Sequence, residues 1–406
     1  MKRNNKKILA FFSSPCGLNG AAHNFLFVVN TLKANNYDVY CVVAKKDVVY
    51  ERLLELGARC IYFPIPLGMN TTTILESSDF PIIYRIKQNL KDIIRFFSGS
   101  FIYIWEAIKV RPNYIYLMDI TFPQIIIANV FFKKNIISEV QGQLINGKIG
   151  LRKKILIWLF RRSEKMFGIT EKHIHPFKDS KQDNKYQVIY NSYEINKENE
   201  ANSNNCSVNK IIDDGRKTII YLGGMNPNKG SLFLIKVIES LKENKNIKWL
   251  ILGSYNHNYK NKFSAGDSKD YFYETKVWFN FIEQNNLNER VFMLGSRSSI
   301  GYFLSQSDIL LVPHKFPHFS RPIIEAFALK TPVIATRDKF NSELIEDGVN
   351  GFLSDYDNLE EWKQKINSVI DNKKLRETFV KKSYEIYEEK FHPNKISKQI
   401  VELFDN

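Results

Sequence analysis

Short apolar runs alternate along the first half of the chain with longer stretches in which apolar residues recur every three or four positions. KILAFFSS, residues 7–14, leads into the glycine-containing turn CGLNGAAH, a helix-like NFLFVVNTLKAN, the strand-like DVYCVVAK and another helix around Tyr50 to Leu56. Alternation of this kind predicts a mostly parallel sheet with helices on both faces. Residues 81–110 read as long, aromatic-rich helices, and NYIYLMD and NIISEVQG as further strands. From Asn196 to Lys217 the chain turns polar, with NKENEANSNNC lacking any apolar period, which predicts a solvent-exposed insertion or linker. The pattern then restarts with TIIYLGG, SLFLIKVIESLKEN, KWLILGS, RVFMLGS, DILLVPH and PVIAT. The reading is an α/β protein of two doubly wound, Rossmann-like domains, 1–190 and 191–390, facing across a cleft. The last helix, at about 391–406 and containing PNKISKQIVELFDN, is expected to cross back to the first domain. Ligands of such sheets bind outside the carboxyl ends of the strands, so a nucleotide site in the second half is geometrically natural.

At 406 residues the chain has room for two cores, and 25% charged with 44% apolar residues describes a globular protein. The net charge of +15 is lopsided, because residues 1–200 hold 29 Lys+Arg against 17 Asp+Glu. A basic surface attracts nucleic acid, anionic lipid or phosphorylated substrates. No aromatic-basic single-strand motif supports nucleic acid, which is not expected as a partner. Cys16, Cys41, Cys60 and Cys206 show no paired spacing and no Cys/His cluster, favouring a reducing compartment and no structural zinc. The apolar core ILAFF near the start is shorter than a secretory signal's and reads as a buried strand. YIYLMDITFPQIIIANVFF is interrupted by Asp119, Pro123, Gln124 and Asn129, which suits a strand followed by a helix better than a membrane span. The expected location is cytoplasmic. LRKKILIWLFRRSEKMF, residues 151–167, sets cations at both ends of an apolar middle. One reading is a helix with a buried centre and solvated ends. The other is peripheral contact with an anionic inner membrane face through Arg152, Lys153, Lys154, Arg161 and Arg162.

Two stretches carry candidate chemistry. In YLGGMNPNKGSLFLI, residues 221–235, a strand runs into Gly223-Gly224, Pro227 bends the loop, and Lys229-Gly230 stands before a helix. Glycines let backbone approach a ligand, and helix N-terminal amides beside a lysine suit a diphosphate. An ordinary strand-to-helix turn with a solvated lysine is the alternative, and the spacing matches neither a Rossmann nor a Walker fingerprint. In RPIIEAFALKTPVIAT, residues 321–336, Pro322 suits a first helical turn and Val333 to Thr336 the next strand. Glu325 then sits near a helix N-terminus, where the dipole favours an anion.

PHKFPHFSRPIIEAFALKTPVIATRDKFNSELIEDGVNGFL, residues 313–353, resembles the donor-site signature of glycosyltransferase family 4 enzymes of the GT-B fold. Pro313, Phe319, Glu325-Ala326, Pro332-Val333-Ile334, Glu343-Leu344-Ile345, Asp347-Gly348 and Asn350-Gly351 stand in the signature's places. The resemblance extends to YLGGMNPNKG, to LNGAAHNFL after the first strand and to VIYNSYE. It implies a retaining transferase that moves a sugar from a UDP- or GDP-linked donor to a glycan or lipid-linked acceptor in surface polysaccharide biosynthesis. Neither a cofactor nor a metal is expected. Glu325 is expected to bind the donor ribose and Lys229 the diphosphate. Backbone near Gly20 and at Gly223 and Gly224 is expected to approach the donor, joined by Ser320, Arg321, Pro322 and Ile323. Two positions depart from the signature. Pro317 stands where the first glutamate belongs, leaving the adjacent His318 to reach a sugar hydroxyl. Gly224 stands where a phosphate-loop arginine belongs, for which Arg321 or Arg297 substitutes. The missing glutamate keeps a second reading open, a catalytically inactive sugar-nucleotide or glycan-binding subunit supporting a partner enzyme. The remaining histidines read as surface or core residues, and Asp355 to Asp357 as a solvated loop rather than a metal site.

Overall fold

Residues 8–11 and 114–117 are apolar on both faces, as strands covered by helices on both sides must be. The computed structural model places them side by side in the middle of a seven-stranded sheet. The structure describes residues 6–12, 18–65, 68–69, 82–142, 151–178, 183–195, 214–255, 269–297 and 299–405. The first sheet comprises β1 (Lys7–Phe11), β2 (Asp38–Val43), β3 (Arg59–Tyr62), β4 (Tyr114–Leu117), β5 (Asn135–Val140), β6 (Lys165–Gly168) and β7 (Tyr186–Val188). All neighbours are parallel, in the order β3-β2-β1-β4-β5-β6-β7. The second comprises β8 (Lys217–Tyr221), β9 (Ile247–Leu252), β10 (Val291–Gly295), β11 (Ile309–Val312), β12 (Val333–Thr336) and β13 (Phe352–Ser354), in the order β10-β9-β8-β11-β12-β13. Both sheets are doubly wound. The chain builds outward from β1 or β8 on one side, then crosses over to build on the other.

The chain divides into two compact units, Met1–Ser192 with Pro393–Asn406, and Tyr193–His392. In the first, the terminal helix Pro393–Asp405 lies against the helix Gly20–Ala34. It buries Ile396, Ile400, Leu403 and Phe404, and the Thr31 and Ser397 hydroxyls meet at 3.1 Å. The Phe404 ring meets the Tyr37 and Tyr114 rings edge-on, so a helix remote in sequence closes this core. The second unit packs around Trp249, Trp278 and Trp362, all fully buried.

Several expectations change in detail. The aromatic-rich stretch expected to hold several helices forms one, Ile82–Val110. The polar stretch lies outside the described residues through position 213, and its last residue, Lys217, opens β8. Asp355 accepts from Arg337 at 3.2 Å in a surface cluster with Asp347, Glu361 and Lys365. Of the cations in 151–167, Lys153 is buried, and Arg161 donates to the carbonyls of Phe177 and Lys178 at 3.0 and 3.1 Å. Among the described residues no helix is long and apolar enough to cross a membrane.

Candidate functional site

The second sheet brings its two chemical loops together because β8 and β11 pair directly, with Leu311 opposite Tyr221. Beyond β8 the chain turns toward β9, beyond β11 toward β12, and the loops diverge at the switch point where open α/β sheets hold ligands. In the first loop the Tyr221 hydroxyl lies 3.2 Å from the carbonyl oxygens of both Gly224 and Lys229, folding the loop back over its own strand. Gly223 packs on that phenol, where any Cβ would overlap it. Asn226 accepts from the Asn228 N–H at 3.0 Å and caps the turn Pro227–Lys229. Gly230 follows at φ +78°, against the Pro313 carbonyl of the second loop, and the helix Ser231–Ser240 begins. A second tie, Lys315 N–H to Asn228 carbonyl at 3.0 Å, joins the loops.

Lys229 is half-buried in this turn, and among the described residues its ammonium makes no ion pair. Burial pushes its pKa down, and the Glu325 carboxylate opposes that shift. Glu325 lies on the helix Arg321–Ala328 at its fifth residue, one position past the first turn, so helix-end electrostatics is not its main partner. Its carboxylate instead lies 3.0 Å from Arg321 Nε, both side chains largely covered. The approach is misaligned for a hydrogen bond, which leaves that N–H unsatisfied. Burial raises the Glu325 pKa, while Arg321 and then Lys229 pull it back. Two cations thus share one carboxylate, and the cluster holds a net positive charge for an anion to neutralise.

The second loop supplies a histidine pair. His314 and His318 stack at 3.9 Å between ring centroids, tilted by 16°. Burial pushes both pKa values down, with Lys229 adding to the effect, so both rings are neutral near pH 7. His318 Nδ1 lies 3.0 Å from the Phe316 carbonyl. A carbonyl only accepts, so Nδ1 carries the proton and Nε2 presents a lone pair. Among the described residues His314 Nδ1 and Ser320 Oγ are buried without a hydrogen-bond partner. Buried polar atoms normally have partners, and these two sit on the loop a ligand would meet.

The other predicted site residues take different places. The Ile323 side chain is in the core and its N–H donates to the Ser320 carbonyl, while Pro322 has no N–H to offer. Arg297 follows β10, two strands from β8. Its Nε donates to the Leu294 carbonyl at 2.9 Å, and it lines a depression of about 540 Å³ with Ser254, Tyr255 and Ser296. Gly20 opens a helix in the other unit, capped by Asn19 on the Ala22 N–H at 2.9 Å, with nothing near the place of a Cβ.

Sequence reasoning passed over a buried carboxylate in the first unit. Glu139, near the end of β5, accepts from Asn24 at 2.5 Å, from Gln141 at 2.6 Å and from the Tyr116 hydroxyl. Its signal was a lone charge inside the apolar run NIISEV. Burial pushes its pKa up to about 7 against the pull of those hydrogen bonds, and neighbouring Asp119 adds to the rise. A raised carboxyl pKa means the fold holds a proton that the unfolded chain releases near pH 4.5. Stability is therefore full below that pH and is lost as pH rises through 7, by about 3 kcal/mol. Denaturant unfolding at pH 5 and pH 8 should show this slope in the wild type and a much flatter one in Glu139→Gln. An unchanged slope in the variant would assign it to other groups.

The two doubly wound units give the chain the GT-B fold. Residues 204–386, most of the second unit, match the model of the family described as glycosyl transferases group 1. HepE of Anabaena, solved with UDP, superposes with a TM-score of 0.73 at 16% identity, over 98% of this chain and 99% of that one. An uncharacterized glycosyltransferase of Methanocaldococcus jannaschii is 29% identical over 53% of this chain and 52% of its own length. The capsular polysaccharide biosynthesis glycosyltransferase CapH of Staphylococcus aureus is 27% identical over 39% of each. The chain thus spans about half, or less, of the length of these curated relatives.

Proposed function

We propose that the protein transfers a sugar from a nucleotide-sugar donor to a glycan or lipid-linked acceptor in polysaccharide biosynthesis, with retention at the anomeric carbon. The observation that carries this reading is the pair of cations, Lys229 and Arg321, around one covered carboxylate at the switch point of the second sheet. Lys229 receives the diphosphate, beside the first turn of the Ser231–Ser240 helix. Glu325 accepts from the ribose hydroxyls, and neutral His318 accepts from a sugar hydroxyl through Nε2. The acceptor hydroxyl attacks the anomeric carbon, the bond to phosphate breaks, and the leaving diphosphate takes the acceptor's proton on the same face. The first unit holds the acceptor. UDP is the favoured nucleotide, since HepE is solved with UDP and UDP-glucose. No metal is assigned a role, because the protein cations meet the diphosphate charge.

A panel of UDP- and GDP-sugars, assayed for transfer or donor hydrolysis with and without EDTA, tests the proposal. Glu325→Gln should weaken donor binding about tenfold or more, because a charge-assisted pair to the ribose is lost and the new amide must find an acceptor. A donor lacking the 2′-hydroxyl should be discriminated against by the wild type and less so by the variant. Equal discrimination by both proteins, with donor Kd unchanged, would remove Glu325 from the nucleotide site. Pro317 in the first glutamate's place supports a second reading, a binding subunit without turnover. Donor binding with neither transfer nor hydrolysis across the panel would select it.

A further inference from the structure

The helix Ile82–Val110 carries an apolar stripe that no described element covers. Ile86, Leu90, Ile94, Phe97, Phe101 and Trp105 recur at intervals of three or four, the spacing a helix uses to bury one face, yet each is more than half exposed. Phe97 is 68% exposed and Trp105 58%. The helix's other side does the packing, through Ile102, Tyr103 and Ala107. The stripe continues onto neighbouring elements, where Phe131 is 82% exposed and Trp158 56%. Between this helix and the helices Pro123–Ala128 and Leu151–Phe160 runs an apolar groove of about 630 Å³, walled by Ile93, Phe97, Ile127, Ile155 and Leu159. A patch of this extent marks an interaction surface.

Charge identifies the partner. The only acids on the long helix, Asp92 and Glu106, are buried, whereas Lys87, Lys91 and Lys109 are exposed. The two neighbouring helices contain no acid, and Lys133, Lys154 and Arg162 extend the exposed positive rim. Arg162 stacks on Trp158 at 3.3 Å, which sets a cation beside an aromatic ring that faces outward. A second copy of the chain meeting this face through a two-fold axis would oppose one positive rim to another. An anionic lipid surface complements both the rim and the stripe.

We propose that this face docks the protein on an anionic lipid surface, with the helix Ile82–Val110 lying in the interfacial plane and a lipid chain in the groove. The docking belongs to the first unit alone and needs no donor chemistry, so vesicle binding and sugar transfer can fail independently. It moves the contact from the 151–167 cations to the long helix, in keeping with the burial of Lys153 and the commitment of Arg161 to backbone carbonyls.

The test uses the full chain with vesicles of phosphatidylcholine, alone or mixed with phosphatidylglycerol. Of the five tryptophans, Trp249, Trp278 and Trp362 are fully buried, leaving Trp105 and Trp158 as reporters. Mixed vesicles should co-sediment the protein in a salt-sensitive way, and brominated acyl chains should quench its fluorescence. Trp105→Phe with Trp158→Phe should keep binding but lose the quenching. Phe97→Ser with Phe101→Ser should lower partitioning by about tenfold, and Lys87→Gln with Lys91→Gln should weaken the preference for anionic vesicles. Equal partitioning onto both vesicle types, no quenching, or a dimer in solution that the Phe97→Ser, Phe101→Ser variant breaks would overturn the proposal. Should that variant misfold by circular dichroism, the tryptophan pair with brominated lipid still decides.

Discussion

Lys229→Ala should lower kcat/KM toward the donor by about 30- to 1000-fold, the roughly 2 to 4 kcal/mol that a preorganised cation supplies to charge growing on a leaving group. The expectation rests on how the lysine is held. Its backbone is fixed by the Tyr221 hydroxyl and by the turn that Asn226 caps, so the side chain leaves from a rigid base. The residue is half-buried and its ammonium makes no ion pair among the described residues. Such a cation costs desolvation in the free protein and recovers it only when an anion arrives. Most of the loss should appear in kcat, because charge on the diphosphate grows as the sugar leaves. The alkaline limb of the kcat/KM profile should fall at lower pH than a free lysine would give, since burial depresses this pKa. A folded Lys229→Ala protein with unchanged kcat/KM would show that the ammonium is merely solvated.

What the sequence disclosed and what it withheld divide along contact range. Strands buried on both faces announce themselves as apolar runs, and β1, β4, β11 and β12, with β8 but for Lys217, lie within the segments that the pattern indicated. Glu325 and Lys229 were each visible within a local motif. Their electrostatic coupling was not, because it depends on β8 pairing with β11 across a long stretch of intervening chain. Arg297 shows the same limit from the other side: it shares the second half's chemistry but leaves the sheet two strands away. Periodicity also says that a helix has an apolar face without saying what covers it. The stripe from Ile86 to Trp105 has the spacing of a core helix, and only the tertiary structure shows it exposed. Glu139 was legible in principle, as a charge in a strand with no solvated face, but its partners Asn24 and Tyr116 come from distant elements.

Gly230→Ala should be the most damaging single-methyl addition in the second unit, and two other glycines supply its controls. Gly348 and Gly215 have nearly the same φ, +80° and +79°, with open space where a Cβ would go. Alanine at either position bears the left-handed conformation alone, about 1 to 2 kcal/mol, partly offset by a stiffer unfolded chain. At Gly230 the same term is joined by overlap with the Pro313 backbone oxygen, and backbone cannot rotate aside as a side chain can. The two loops must part, breaking the Lys315 to Asn228 hydrogen bond and pulling Lys229 from its seat over Tyr221. Urea unfolding should therefore show about 3 to 5 kcal/mol lost in Gly230→Ala against about 1 kcal/mol in Gly348→Ala. Donor affinity should fall in the first variant and hold in the second. The comparison separates strain from position, because the three substitutions add the same methyl group at nearly the same φ and meet different surroundings. Equal losses at Gly230 and Gly348 would mean that the Pro313 carbonyl yields freely, and that the two loops do not hold each other in place around the lysine.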